Sequence, residues 1–149
     1  RAVLDVGARF GERASAAVAG LLVLCQGNFA PRPGPTQSCT RRVEEPATVR
    51  AAAGHMHLLG SAIRIELNPG TPRARTLLDV TQWDFDNQGS VPVAATRLRV
   101  GDQVRVTCTH DQSWRDKLAE LRSIPERYVV WGEGTTDEMC LGILSVTRP

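Results

Sequence analysis

Residues 95–110, ATRLRVGDQVRVTCTH, decide the fold class. Val104, Val106 and Cys108 fall on one side of an extended chain, with Arg105, Thr107 and Thr109 on the other. That strict period of two is the mark of a half-buried strand. Leu98 and Val100 precede the turn pair Gly101-Asp102, so the stretch reads as a β-hairpin.

The same reading extends in both directions. Short extended segments are expected at Ala2 to Val6, and at Leu21 to Phe29 before the loop residues Pro31, Pro33, Gly34 and Pro35. Thr48 to Leu59 reads as a longer segment, with Gly54 as a point of interruption. Ile63 and Ile65 alternate with Arg64 and Glu66 before the turn Asn68-Pro69-Gly70, Leu77 to Val80 is short and apolar, and Met139 to Val146 forms a last strand. Only Ser113 to Leu121 suits a helix, with Ser113 as its cap, Asp116 three residues on, and Pro125 beyond it. Many short strands separated by Gly/Pro turns predict an all-β antiparallel sandwich or barrel. An α/β fold would need repeated helices between the strands.

The chain has 149 residues and a mass of 16.2 kDa, the size of one domain, 1–149. It starts at Arg1 rather than Met, which reads as a processed or excised product. Hydrophobic residues at 42% against 23% charged argue for a packed core. A net charge of +2, with no aromatic residues interleaved in basic runs, argues against nucleic acid as a partner. No apolar run reaches the length of a membrane span, and Ala16 to Cys25 reads as a buried strand. Four Cys with three His and no C-x2-C pair suit two disulfides better than a zinc cluster, with four buried thiols as the alternative. Two disulfides would imply an oxidising, extracytoplasmic compartment.

The scarce residues form a pattern. His55 and His57 flank Met56; in a strand, residues i and i+2 point the same way, so both imidazoles share a face at a spacing suited to one metal ion. If Met139 opens the last strand, it shares a face with Leu141 and Ile143, while Cys140 joins Leu144 and Val146 on the other. A Cys108–Cys140 disulfide would then tie two core-facing positions and turn Met139 outward. Two imidazoles and a thioether suit copper, because thioether favours Cu(I) and imidazole serves both oxidation states. Zinc more often recruits a carboxylate or thiolate. A blue-copper centre is disfavoured, because no Met closely follows His110 after Cys108.

Four blocks, in order, carry a resemblance: His55-Met56-His57-Leu58-Leu59-Gly60; Trp83-Asp84-Phe85-Asp86-Asn87-Gln88; Val100-Gly101-Asp102 with Val106-Thr107-Cys108; and Thr135-Thr136-Asp137-Glu138-Met139-Cys140. With them the chain resembles the C-terminal domain of the copper type II, ascorbate-dependent monooxygenases, the peptidylglycine α-hydroxylating and dopamine β-monooxygenase type, and its bacterial members most. The resemblance implies a jelly-roll β-sandwich and a copper held by His55, His57 and Met139, where dioxygen is activated for C–H hydroxylation with electrons from ascorbate or another reductant. It implies a Cys108–Cys140 disulfide, and with Cys25 as the available partner of Cys39, a Cys25–Cys39 disulfide. Asp137 and Glu138 are expected as turn or hydrogen-bonding residues.

Two departures qualify the resemblance. The family's second copper sits in a preceding three-His domain; here only His110 remains, so electrons would come from such an N-terminal copper domain or another donor. The positions that would grip a peptidylglycine carboxylate are Ala53, Leu141 and Ile143, which implies a different and less polar small-molecule substrate. Two readings stand: a copper-dependent monooxygenase domain, and a non-catalytic, secreted or otherwise extracytoplasmic copper-binding or structural sandwich.

Overall fold

Alternation along the chain becomes burial on one face in the computed structural model, which describes residues 18–25, 35–127 and 129–148. Eight strands carry it: β1 (Val18–Leu24), β2 (Thr36–Arg42), β3 (Ala47–Met56), β4 (Gly60–Leu67), β5 (Arg75–Val80), β6 (Ser90–Leu98), β7 (Gln103–His110) and β8 (Cys140–Arg148), with a short helix α1 (Trp114–Lys117) between the last two. Two antiparallel sheets, ordered β1-β8-β3-β6 and β2-β7-β4-β5, face each other as a β-sandwich. Successive strands that change sheet in this way give the eight-stranded jelly-roll order.

The core lies between the sheets. Val49, Ala52 and Met56 of β3 and Leu144 and Val146 of β8 meet Ile63 and Ile65 of β4 and Val104 and Val106 of β7, all buried. At about 25 cal/mol per Å² of apolar surface, this burial is the main stabilising term. Both disulfides form, Cys25–Cys39 and Cys108–Cys140. Each joins a residue in or next to one sheet to a strand of the other, and in chain-entropy terms contributes about 3 kcal/mol.

The hairpin expected over Ala95 to His110 is not one. β6 pairs with β3, placing Leu98 opposite Ala47, while β7 pairs with β2 and β4. Period two tells which side of a strand meets the core; it does not tell which strand receives the hydrogen bonds. Leu98 and Val104 both point into the shared core, from opposite sheets. The chain between them crosses as an arch. Gly101, at φ +90°, supplies the left-handed turn, and its N–H donates to the Val43 carbonyl at 2.8 Å. Asp102, almost fully buried, accepts from Arg99 N, Asn68 Nδ2 and Arg73 Nη2 at 2.8–3.0 Å. Burial pushes its carboxyl up, but these hydrogen bonds together outweigh burial and hold it below the usual carboxylate value.

Three further expectations change. The helix covers only Trp114–Lys117, and Ser113 makes no side-chain cap; instead its N–H donates to Asp111 Oδ1 at 2.9 Å. Leu118 turns extended, which lets Leu121 drop into a second small core with Leu59 and Val129. β3 runs unbroken through Gly54, where a Cβ would stand 2.7 Å from Ile63 Cγ2 of the facing sheet. β1 is an edge strand rather than a buried one, with Leu21 66% and Val23 45% exposed. The segment expected at Ala2 to Val6, and the end of the one expected to reach Phe29, lie outside the described residues. No helix among the described residues is long and apolar enough to cross a membrane.

Candidate metal centre

The end of β3 and the start of β8 bring the two sequence blocks of interest together. Register pairs His55 with Leu141 and Met56 with Cys140. Met56 and Cys140 are buried in the core, so His55 and Leu141 occupy the outer face of the same sheet. Ala53 pairs with Ile143 on that outer face. His57 lies one residue past β3 and Met139 one residue before β8, so both directly follow the last recorded pair of that register, Met56 with Cys140. The imidazoles of His55 and His57 stand 5.2 Å apart between ring centroids, nearly perpendicular.

Their partners fix which nitrogen carries the proton. His55 Nδ1 lies 2.6 Å from Gln88 Oε1. Gln88 in turn donates its Nε2 to the Phe85 carbonyl at 2.8 Å, which orients the amide so that its oxygen faces His55. His57 Nδ1 lies 3.3 Å from the Asp137 carbonyl, which only accepts. In both rings Nδ1–H therefore donates, and the Nε2 lone pair is left for a ligand. A histidine whose other nitrogen is held by an oxygen acceptor is the usual state of a metal-bound imidazole.

The loop over residues 83–88 supplies this support. Trp83 N donates to the Ser61 carbonyl at 2.9 Å, and the Trp83 ring packs on Gly60, where a Cβ would stand 2.7 Å from its Cδ1. The next residues bend through an Asx turn, Asp86 N donating to Asp84 Oδ1 at 3.0 Å. Phe85 sets its ring edge-on to His57, centroids 6.4 Å apart. Beside Phe85 opens a cleft of about 490 Å³ lined by Leu58, Trp83, Trp114 and Leu118 among others.

Glu138 is the residue whose structural weight the sequence leaves understated. Its buried carboxylate accepts His57 N at 3.1 Å through Oε2 and Leu59 N at 2.6 Å through Oε1, and lies 3.6 Å from His110 Nε2. It thus fastens the chain after His55-Met56-His57 to the residue directly before Met139. The expected hydrogen-bonding role is met: the Asp137 carbonyl faces His57 Nδ1, and its carboxylate accepts from Arg127 Nη2 at 3.0 Å. His110 sits in the interior beside Glu138, apart from the outer face that carries His55.

Among the described residues, no group of three or more His, Cys, Asp or Glu side chains is gathered so as to hold a metal ion. Met139, expected from the sequence as a third ligand, has a half-buried side chain directly before β8. The chain matches no protein-family model and no curated protein.

Proposed function

We propose that this chain is an extracytoplasmic copper-binding β-sandwich domain, related to the C-terminal domain of the copper type II monooxygenases, that holds one copper ion through His55, His57 and Met139. The observation that carries this reading is the pair of imidazoles whose Nδ1 atoms each face an oxygen acceptor, an arrangement that leaves both Nε2 atoms for a ligand. The donor set fits copper: two imidazoles accept either oxidation state, and a thioether favours Cu(I). Gln88 orients His55, the Asp137 carbonyl orients His57, and Glu138 holds the backbone between the two ligand segments. Two disulfides suit the oxidising compartment that this role requires.

A bound copper would supply redox chemistry and, with an open position, a site for dioxygen. A second reading, a copper- and reductant-dependent monooxygenase, draws on one observation: the aromatic cleft that adjoins Phe85, itself against His57. In that reading the chain's own part is to exclude water and orient an organic substrate with little polarity, since Ala53, Leu141 and Ile143 share the outer face with His55. Electrons would arrive from ascorbate, another reductant or a separate copper domain. The binding reading is preferred, because beyond the two imidazoles no group of three or more His, Cys, Asp or Glu side chains is gathered among the described residues to support electron delivery through a further metal.

Titration of metal-free protein with Cu(I) under a competing chelator tests the binding reading. One ion per chain, lost in the His55→Ala/His57→Ala variant, supports it; undiminished binding in that variant overturns it. The oxygenase reading needs reductant-dependent oxygen uptake that matches a hydroxylated product mole for mole.

A further inference from the structure

We propose that the cleft between the two free sheet edges on the β5/β6 side is a binding site for a small multivalent oxyanion, a compound carrying two or three carboxylate or phosphate groups. It is independent of the copper site. β5 and β6 are the outer strands of their sheets on the same side of the sandwich. A cleft of about 480 Å³ lies there, lined by Arg73, Arg75, Arg97 and Arg99, with Leu67 and Thr96 among the residues at its base. That volume falls in the range of small-ligand sites. No acidic side chain lines it.

Of the four arginines, among the described residues only Arg73 has a carboxylate partner, Asp102, at 2.8 Å. That carboxylate is already committed to Arg99 N and Asn68 Nδ2. Among the described residues, Arg75, Arg97 and Arg99 form no ion pair. Three arginines without an ion pair among the described residues thus line one concave surface. Like charges held together repel, and an anion seated among them removes that repulsion. Guanidinium is the side chain that grips carboxylate and phosphate in a bidentate manner.

Arginine on an exposed strand edge also blocks sheet-to-sheet association. That role accounts for one arginine on β5 and one on β6. It does not account for Arg73 and Arg99, which lie outside the strands and also line the cleft. The limited volume favours a compact anion over a polymer.

Isothermal titration calorimetry of the metal-free full chain with sodium tripolyphosphate and with citrate tests the proposal. The expected result is saturable binding of at least one probe near one per chain, weakened about tenfold or more in Arg97→Gln/Arg99→Gln and unaltered in Arg122→Gln, an exposed arginine elsewhere. The tighter probe tells a phosphate from a carboxylate ligand. Arg75→Gln provides a second variant should the double one unfold, as judged by circular dichroism. Binding of neither probe, or an equal loss in Arg122→Gln, overturns the site and leaves edge protection as the role of these arginines.

Discussion

Glu138 and His57 are joined by a buried hydrogen bond, His57 N donating to Glu138 Oε2 at 3.1 Å, and the other oxygen of the same carboxylate takes Leu59 N at 2.6 Å. One side chain therefore closes the corner between β3 and β4 and places the following residue, Met139, beside it. Glu138→Ala leaves two buried N–H donors without partners and is expected to cost about 2–4 kcal/mol, read from urea unfolding of the metal-free protein. Glu138→Gln keeps one acceptor oxygen and is expected to cost less than Glu138→Ala.

Gln88 touches His55 and contributes little to the core. Gln88→Leu removes the acceptor that fixes the His55 tautomer, so copper affinity is expected to fall about 10–100-fold. The unfolding midpoint of the metal-free protein should move little. A large loss of stability with unchanged copper affinity would reverse the assignment of Gln88.

At Gly60 the absent side chain makes room for Trp83. Gly60→Ala would push Trp83 Cδ1 and the Met56 Cβ from positions within 3 Å of the new methyl, an overpacking cost of about 1–3 kcal/mol. Because Trp83 begins the loop that carries Phe85 and Gln88, weaker copper binding is expected as well. Tryptophan fluorescence should report the displaced ring.

Much of this was legible in the chain. The alternation in Val104, Val106 and Cys108, and in Cys140, Leu144 and Val146, revealed the core faces, because side-chain direction in a strand is a local property. Pairing is not local. The arch at Gly101-Asp102 has the residues of a hairpin turn, and only the contacts of Asp102 with Asn68 and Arg73, far off in sequence, make it a crossing between sheets. Likewise His55 and His57 announce themselves by spacing, whereas Gln88 lies thirty-three residues away and its role follows from an amide turned by Phe85 O. The helix is shorter than its sequence pattern because Leu118 and Leu121, which fit a helical stripe, fit the second small core equally well.

Asp102 makes the fold sensitive to acid. Its folded carboxyl titrates below the unfolded value, so its contribution is complete above the ordinary carboxylate range and is lost as pH falls through the folded value. At neutral pH Asp102→Asn is expected to cost about 1–3 kcal/mol. Urea unfolding at successively lower pH should show the gap between the wild type and this variant closing as the wild-type carboxyl is protonated. A gap independent of pH would remove Asp102 as the source.

Copper K-edge X-ray absorption of the Cu(I)-loaded protein, compared with Met139→Ala, tests the central claim most directly. The proposed site predicts imidazole nitrogen scattering with one sulfur at bonding distance, and loss of that sulfur alone in the variant. A sulfur signal that persists in Met139→Ala, or none in the wild type, contradicts the His55, His57 and Met139 site.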